Sequence, residues 1–384
     1  MRSRWAVLAA GTVVQASQAA AVSGLAVLAP VLRDRYDLSL TQIGVLLGGS
    51  GIGAVLTLLP WGLAADGLGE RVTATVGALG AAAGLAGAAY APEFVSLVVL
   101  LSIAGALGAS ANTATARAVT SWFPREKRGF ALGIRQTSVP IGGFVAALGI
   151  PPIADHWGSR AALVALAAAS VVAAILAVMF MTAGPVRSDV EDTAEALRHP
   201  LRDRRVWRLS LGSSLLVCTQ FAVLGFIVLF LESERGYSHV EAGAALAAIN
   251  VLGAAGRLTA GRVSDRLGTR VGLIRWIVLA AALALGATAA LLSESGTLLV
   301  PALVIGGGLS MSWNGLAVAA AVELAGPRRS GAALGVQQTL LGVAAVATPF
   351  VFAPFVAATS WRAGFILAAL FPLLGVWVLR RLDS

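Results

Sequence analysis

Three arginines lie within long apolar stretches of the sequence or near their ends: Arg117, Arg135 and Arg257. A guanidinium stays protonated inside proteins, so in apolar surroundings it needs an acceptor or a counter-ion. Arg135 and Arg257 are each about six residues from the middle of their stretch, roughly 9 Å along a helix. A guanidinium in that position suits a carboxylate or a similar planar oxyanion. The alternative, which we favour for Arg117, is that an arginine extends to the end of its stretch and binds helix-end carbonyls.

Amide side chains recur near the middle of other apolar stretches at one fixed spacing. Gln18 and Gln220 are 202 residues apart, as are Asn112 and Asn314. Polar groups in hydrocarbon are costly, so each is a candidate ligand, although amides also bond neighbouring helices to one another. We include Gln136 and Gln338 in the candidate binding set, with Gln15, Asn250 and Trp313 as weaker additions.

The composition identifies the elements that must hold these residues. The chain has 384 residues, of which 58% are hydrophobic and 12% charged, and these proportions exclude a soluble globular protein. They also exclude a disordered or nucleic-acid-binding chain, despite the net charge of +9. The apolar stretches predict twelve membrane-spanning helices of about 20 residues each. We interpret the first stretch as a spanning helix rather than a cleaved signal peptide, because its apolar part is too long.

The basic residues predict the orientation, because they accumulate in cytoplasmic loops. Twenty of the 28 lie on the side of the N-terminus and five on the other side. We therefore predict a multi-pass protein of the inner (plasma) membrane with both termini in the cytoplasm. The predicted domains are an N-terminal six-helix bundle over residues 1–183, a cytoplasmic linker over 184–205 and a C-terminal six-helix bundle over 206–384.

The two predicted bundles carry an internal repeat. The segment Gly129–Thr137, with the sequence GFALGIRQT, returns 202 residues later as Gly331–Thr339, with the sequence GAALGVQQT. Two six-helix halves with the same orientation imply a pseudo-twofold axis along the membrane normal.

A second repeated pattern lies in the loops after spans two and eight. Both loops have the form G-x-x-x-D-x-x-G-x-R, and their members are Gly62, Asp66, Gly69 and Arg71, then Gly261, Asp265, Gly268 and Arg270. The glycines permit a tight turn, and the aspartates can pair with a basic neighbour or a helix N-terminus. The alternative is that these are ordinary loop charges.

These loops resemble the loop motif of the major facilitator superfamily, and the resemblance extends over essentially the whole chain. It implies a gating role for Asp66, Gly69, Arg71, Asp265, Gly268 and Arg270. It also implies that spans one, four, seven and ten line a central cavity, and that Arg135 and Arg257 converge on one anion. Arg257 further resembles the span-eight arginine of oxalate and monocarboxylate transporters. The first loop departs from the family pattern at Gly67 and Glu70, where basic residues are usual.

The expected function is secondary transport of a small organic or inorganic anion by alternating access. The alternative is a proton-coupled efflux antiporter for drugs or metabolites, and less favoured classes are a transporter-like sensor and a membrane-embedded enzyme. Efflux is disfavoured because Leu101 replaces the outer arginine of span four, because the element Val139–Gly143 matches only partly, and because no carboxylate lies at mid-span. We expect a monomer in contact with membrane lipid, with a small anionic substrate and with no nucleic-acid partner, cofactor, metal or enzymatic site.

Overall fold

The computed structural model describes residues 4–123, 125–182, 184, 203–293, 297–325 and 330–382. Over these residues the regular secondary structure is helical, which satisfies the backbone polar groups internally, as lipid requires. The thirteen helices of this described part are α1 (Arg4–Tyr36), α2 (Leu40–Ala89), α3 (Phe94–Gly108), α4 (Ser110–Trp122), α5 (Arg125–Gln136), α6 (Ser138–Phe180), α7 (Arg204–Arg235), α8 (His239–Leu267), α9 (Val271–Leu291), α10 (Leu299–Ser312), α11 (Asn314–Ala325), α12 (Ser330–Ala358) and α13 (Trp361–Leu379).

Helix lengths confirm the predicted number of membrane crossings. Eleven helical stretches in the described residues are long and apolar enough to span a bilayer. One of them, Ala131–Phe180, has 50 residues, which corresponds to about 75 Å of helix, twice the thickness of a hydrocarbon core or more. Gly158 interrupts it with φ 78° and ψ 173°. The stretch therefore makes two crossings, and the total is twelve.

The predicted linker over residues 184–205 lies mostly outside the described residues. Its last two residues belong to α7, which begins at Arg204. The described chain separates into two compact units, Met1–Asp189 with Leu231–Ala247, and Val190–Phe230 with Ala248–Ser384. The predicted domain boundaries at 183 and 206 stay a prediction.

Small residues allow close helix packing in the first unit. Helix α1 packs on α6, and α2 packs on α3, α4 and α6. A Cβ atom at Gly53 would lie 2.1 Å from the carbonyl oxygen of Ser102, and one at Gly105 would lie 2.0 Å from that of Ser50. Helices α2 and α3 therefore touch backbone to backbone, which suits association in lipid, where no hydrophobic force drives it.

The core of the second unit contains large apolar side chains. Helix α9 packs on α10 and α13, and α11 packs on α12. The fully buried Trp313 lies in this core with Leu316, Ala317 and Val278. Its indole nitrogen donates to the Ser310 carbonyl at 2.6 Å, so the polar edge of this large ring is satisfied.

Spans four and ten are both interrupted near their middle, between α3 and α4 at Ala109 and between α10 and α11 at Trp313. Both residues keep right-handed helical backbone angles, so each interruption is a local change in the hydrogen bonding of the helix. Side chains bond carbonyls just before each interruption. Thr57 Oγ1 and Trp61 Nε1 each donate to the Ala106 carbonyl at 2.7 Å.

We predict that Gly158→Ala destabilises the protein by about 1–3 kcal/mol, because its backbone angles are accessible essentially to glycine alone. No atom lies within 4 Å of a Cβ there, so the cost is purely conformational. The matched control is Gly149→Ala, which also has open space around its Cβ but is an ordinary helical position. Thermal unfolding in detergent should show no loss of stability for the control. Equal losses of stability for both variants would contradict the glycine-only conformation at Gly158.

Candidate functional site

Arg135 is held by three polar side chains of the first unit. The arginine is only 4% exposed. Its Nε donates to Thr115 Oγ1 at 2.8 Å, and its Nη2 donates to the Asn112 carbonyl at 2.8 Å and to Asn112 Oδ1 through a short bond. Gln15 Oε1 lies 3.4 Å from the same Nη2. The structure thus joins two predicted site residues, Arg135 and Asn112, directly.

All of these acceptors are neutral. Among the described residues no carboxylate lies within 4 Å of the Arg135 guanidinium, and Nη1 has no hydrogen-bond partner there. Neutral acceptors orient a guanidinium and offset part of its desolvation, but they leave its charge in place. The site can therefore attract an anion.

Gln18 lies beside this cluster, at the interruption of span four. A Cβ atom at Gly108 would be 1.9 Å from Gln18 Oε1, so the amide packs on the last turn of α3. Gln18 and Gln136 are both half-buried. The first unit therefore places Gln18 against Gly108, the last residue of α3.

The second unit pairs the other two predicted amides. Asn314 Nδ2 donates to Gln220 Oε1 at 3.2 Å and to the Met311 carbonyl at 3.0 Å. Gln220 is 7% exposed, whereas Asn314 is half-buried. This contact is the helix-to-helix bond that the sequence left open as an alternative, and it leaves the predicted ligand role untested.

Arg257 is half-buried in α8, and its Nε donates to the Met311 carbonyl at 2.8 Å. Met311 is in the last turn of α10, beside the interruption at Trp313, so this carbonyl lies near the middle of span ten and not at the end of the stretch, and the alternative interpretation stays untested. Arg257 and Asn314 thus share one acceptor. The predicted convergence of Arg257 and Arg135 on one anion stays a prediction, because the two arginines belong to different units.

Arg117 forms an ion pair that the sequence did not predict. Its Nε lies 3.1 Å from Oε1 of Glu70, a carboxylate that is 3% exposed. The favoured prediction was a contact with helix-end carbonyls, which stays a prediction, and the structure shows an ion pair with Glu70 at the start of span three. Glu70 is one of the two residues at which the first loop departs from the family pattern.

The loop glycines adopt the conformation that their motif requires. Gly69 has φ 81° and Gly268 has φ 68°, which L side chains rarely adopt. Arg71 Nε donates to the Met181 carbonyl at 2.7 Å, which attaches the start of span three to the chain just beyond α6. The side chain of Asp66 lies outside the described residues, so its predicted pairing is untested.

In the second loop Arg270 bonds two carboxylates. Its Nε lies 3.0 Å from Glu323 Oε1, and its Nη1 bonds Asp265 Oδ1 and, at 3.1 Å, Ser264 Oγ. Partial burial disfavours the charged form, but the bonds and charges of Asp265 and Glu323 outweigh it and raise the pKa of Arg270. Asp265 therefore pairs with a basic neighbour, one of the two kinds of partner that the loop pattern allowed, and Glu323 is an addition.

Gln337 is a polar residue outside the predicted binding set, which contains its neighbour Gln338. Gln337 is fully buried, and its Nε2 donates to the Ala317 carbonyl at 3.2 Å. Gln338 is exposed. The internal repeat could have identified Gln337 as a candidate, because an offset of 202 residues aligns it with Arg135.

The described residues contain no group of three or more His, Cys, Asp or Glu side chains that could hold a metal ion. What they do contain is a buried cation, hydrogen-bonding amides and two loops of one motif, in a bundle of apolar helices. The family model for the Major Facilitator Superfamily matches residues 11–349. The chain belongs to this superfamily. It is accordingly a multi-pass membrane protein of a transporter family.

Several relatives carry transporter names. An "Uncharacterized MFS-type transporter" of Mycobacterium tuberculosis is 33% identical over 97% of this chain and 84% of its own length. A "Probable sulfoacetate transporter" of Cupriavidus necator is 27% identical over 93% of this chain and 88% of its own. The "Hexuronate transporter" of Bacillus subtilis is 26% identical over 63% and 60%.

Among solved structures, a bacterial homolog of the human lysosomal transporter Spinster, in an inward-facing and occupied conformation, has a TM-score of 0.79. It covers 97% of this chain and 95% of its own, at 18% sequence identity. At that identity the similarity establishes the fold alone, and it confirms the predicted fold of this superfamily member.

We predict that Glu70 and Arg117 are energetically coupled by about 1–2 kcal/mol, a value reduced from that of a fully buried pair because Arg117 is 36% exposed. The measurement is a double-mutant cycle of unfolding free energies with Glu70→Gln and Arg117→Gln. The matched cycle on the more exposed pair Arg270–Glu323 should give less than about 1 kcal/mol. A Glu70–Arg117 coupling no larger than that of the exposed pair would show that the contact is not stabilising.

Proposed function

We propose that this protein is a secondary transporter of a small organic or inorganic anion, carboxylate-like in chemistry, and that it works by alternating access. The observation that carries the proposal is the buried guanidinium of Arg135, which has only neutral partners in the described part of the chain. An anionic substrate supplies the charge that these partners lack. The free Nη1 can donate a charge-assisted hydrogen bond to a carboxylate or sulfonate oxygen.

The internal repeat supports a functional role for Arg135 rather than a packing role. At an offset of 202 residues, the positions of Gln15, Thr115 and Arg135 are occupied by Val217, Ala317 and Gln337. The cation and two of its acceptors are therefore missing together from the second half. Since the second half folds without them, helix packing alone does not require such a cluster, and a charged ligand gives a reason for it.

Relatives support the same chemical class. The sulfoacetate and hexuronate named for two of them are both anions at neutral pH. We propose that the substrate's anionic group binds Arg135 and Asn112. The other members of the predicted binding set are further proposed ligands, and these are Gln18, Gln136, Gln220, Arg257, Asn314 and Gln338.

The remaining features follow the sequence predictions. We propose that the protein functions as a monomer in the inner membrane with both termini in the cytoplasm, and that it needs no cofactor. The loop residues Asp66, Gly69, Arg71, Asp265, Gly268 and Arg270 are proposed to control opening at the cytoplasmic side.

The first test is thermal stabilisation of the purified protein by a panel of carboxylates, sulfonates, inorganic oxyanions, cations and lipophilic drugs. A ligand at 100 times its Kd stabilises the folded state by about 2.7 kcal/mol. We expect stabilisation by anions, and we expect Arg135→Gln to abolish it because the binding charge is lost. Arg135→Lys keeps the charge but loses the planar fork that bonds Thr115 and Asn112 while leaving Nη1 free, so it should retain only weak stabilisation.

The matched control is Arg117→Gln, which removes the same charge from an arginine already paired with Glu70. It should lower the melting temperature without changing the increment that an anion adds. Stabilisation only by lipophilic cations, unaffected by Arg135→Gln, would contradict the proposal and favour the efflux alternative.

We predict that Arg270→Gln slows transport in proteoliposomes several-fold while ligand stabilisation is retained, because this loop is proposed to control opening rather than binding. Arg266→Gln is the matched control, since Arg266 is exposed in the same loop and forms no ion pair among the described residues. Equal transport rates for the wild type and Arg270→Gln would contradict a gating role for this loop.

A further inference from the structure

Arg135 determines how two neighbouring amide side chains are oriented. A guanidinium can only donate hydrogen bonds, so each amide must turn its oxygen toward it. Asn112 Oδ1 accepts a short bond from Nη2, and Gln15 Oε1 lies 3.4 Å from the same nitrogen. The free end of each amide is therefore its NH2 group, which is a donor.

The cluster has three nitrogens available to a ligand, namely Arg135 Nη1, Asn112 Nδ2 and Gln15 Nε2. None of them has an acceptor in the described part of the chain, and none is among the atoms there that are sealed from solvent. Gln15 and Asn112 are half-buried, whereas Arg135 is 4% exposed. The amides thus give the cluster a surface that a ligand can reach, although the guanidinium itself is buried.

These donors come from three helices of a single unit. Gln15 is on α1, Asn112 on α4 and Arg135 on α5, and all three belong to the first unit. Both amide oxygens contact Nη2, and covalent geometry then places each amide nitrogen within about 6 Å of Nη2. One small oxyanion group can therefore contact donors from more than one of these helices.

The cluster offers a positive charge and free donors, while its oxygens are already in use. The oxygens of Gln15, Asn112 and Thr115 all contact the guanidinium. A fully deprotonated oxyanion can accept from every free donor. A group that keeps an O–H must leave that hydrogen unpaired or place it against an N–H, and a buried donor without an acceptor costs binding free energy.

We propose that Gln15 Nε2 and Asn112 Nδ2 bind the substrate together with Arg135 Nη1, as a donor subsite that selects fully deprotonated oxyanion groups. The substrate class is then a carboxylate, sulfonate or sulfate ester, and groups that keep an O–H, such as hydrogen phosphates, are poor ligands. The donor subsite rests on the proposed anion transport. It gives Gln15, a weaker candidate in the sequence, a specificity-determining role.

Methyl sulfate and methyl phosphate are matched probes for the purified protein, because both are small tetrahedral esters. A phosphate ester has a second pKa of about 6, so at about pH 5 both probes carry mainly one negative charge and only the phosphate keeps an O–H. Ligand-induced thermal stabilisation should then show binding of methyl sulfate about tenfold tighter or more, the factor that one unpaired buried donor costs.

The same titration at about pH 8 separates the O–H from the rest of the ester, because methyl phosphate has then lost that hydrogen. The preference for methyl sulfate should disappear or reverse. Methyl sulfate should bind within about twofold equally at both pH values, since a sulfate ester keeps its single charge throughout, and this controls for titration of the protein. A preference that persists unchanged at about pH 8 would contradict selection against the O–H.

Gln15→Met keeps the length of the side chain and removes its free donor. It should weaken methyl sulfate binding several-fold at about pH 5 and reduce the preference over methyl phosphate to within about threefold. The matched control is Thr12→Val, about one turn away on the same helix, where the hydroxyl bonds the Leu8 carbonyl of its own helix. The control should leave the affinities for both esters unchanged.

Three results would overturn the donor subsite. They are equal binding of the two esters at about pH 5, binding of neither ester while other anions stabilise the protein, and a preference that is unchanged in Gln15→Met. The wild-type comparison needs no variant, so it decides the matter even if Gln15→Met does not fold.

Arg135→Gln distinguishes this failure from failure of the proposed function. If Arg135→Gln abolishes binding of anions and the wild type has no preference between the esters, anion transport stands and the donor subsite falls. If Arg135→Gln leaves anion binding intact, the proposed function falls, and the donor subsite falls with it.

Discussion

The first unit depends on one constraint, a buried arginine side chain that cannot lose its proton. Arg135 cannot lose its proton, so the surrounding helices must supply acceptors or the substrate must supply a charge. Thr115 and Asn112 on α4 and Gln15 on α1 orient the guanidinium without cancelling its charge. This arrangement keeps the side chain in position and leaves its electrostatic attraction for an anion.

Side-chain hydrogen bonds also stabilise the interruptions of spans four and ten. A carbonyl at a helix interruption has no water to bond in the hydrocarbon core, so neighbouring side chains must satisfy it. In the first unit Thr57 and Trp61 bond the Ala106 carbonyl, and in the second unit Arg257 and Asn314 bond that of Met311. The interruptions in turn place Asn112 and Asn314 in the first turn of new helices.

The two halves share a backbone plan and differ in the polar groups attached to it. Both loops turn at a glycine with positive φ, and both arginines of the motif bond nearby oxygens. The first half keeps a buried pair between Glu70 and Arg117, while the second half has an exposed network around Arg270. Duplication of a six-helix unit thus allowed the same scaffold to hold a cation in one half and neutral amides in the other.

The sequence by itself determined the membrane class, the number of crossings, the repeat and the turn glycines, because each depends on local composition or spacing. The positions of Arg135 and the four amides also followed from their cost in an apolar stretch. Only the tertiary structure decided which groups meet. It paired Arg117 with Glu70, gave Arg257 a carbonyl partner, and buried Gln337 while leaving Gln338 exposed. Such contacts depend on helix rotation and crossing, and a one-residue difference in register turns a side chain by about 100° around its helix.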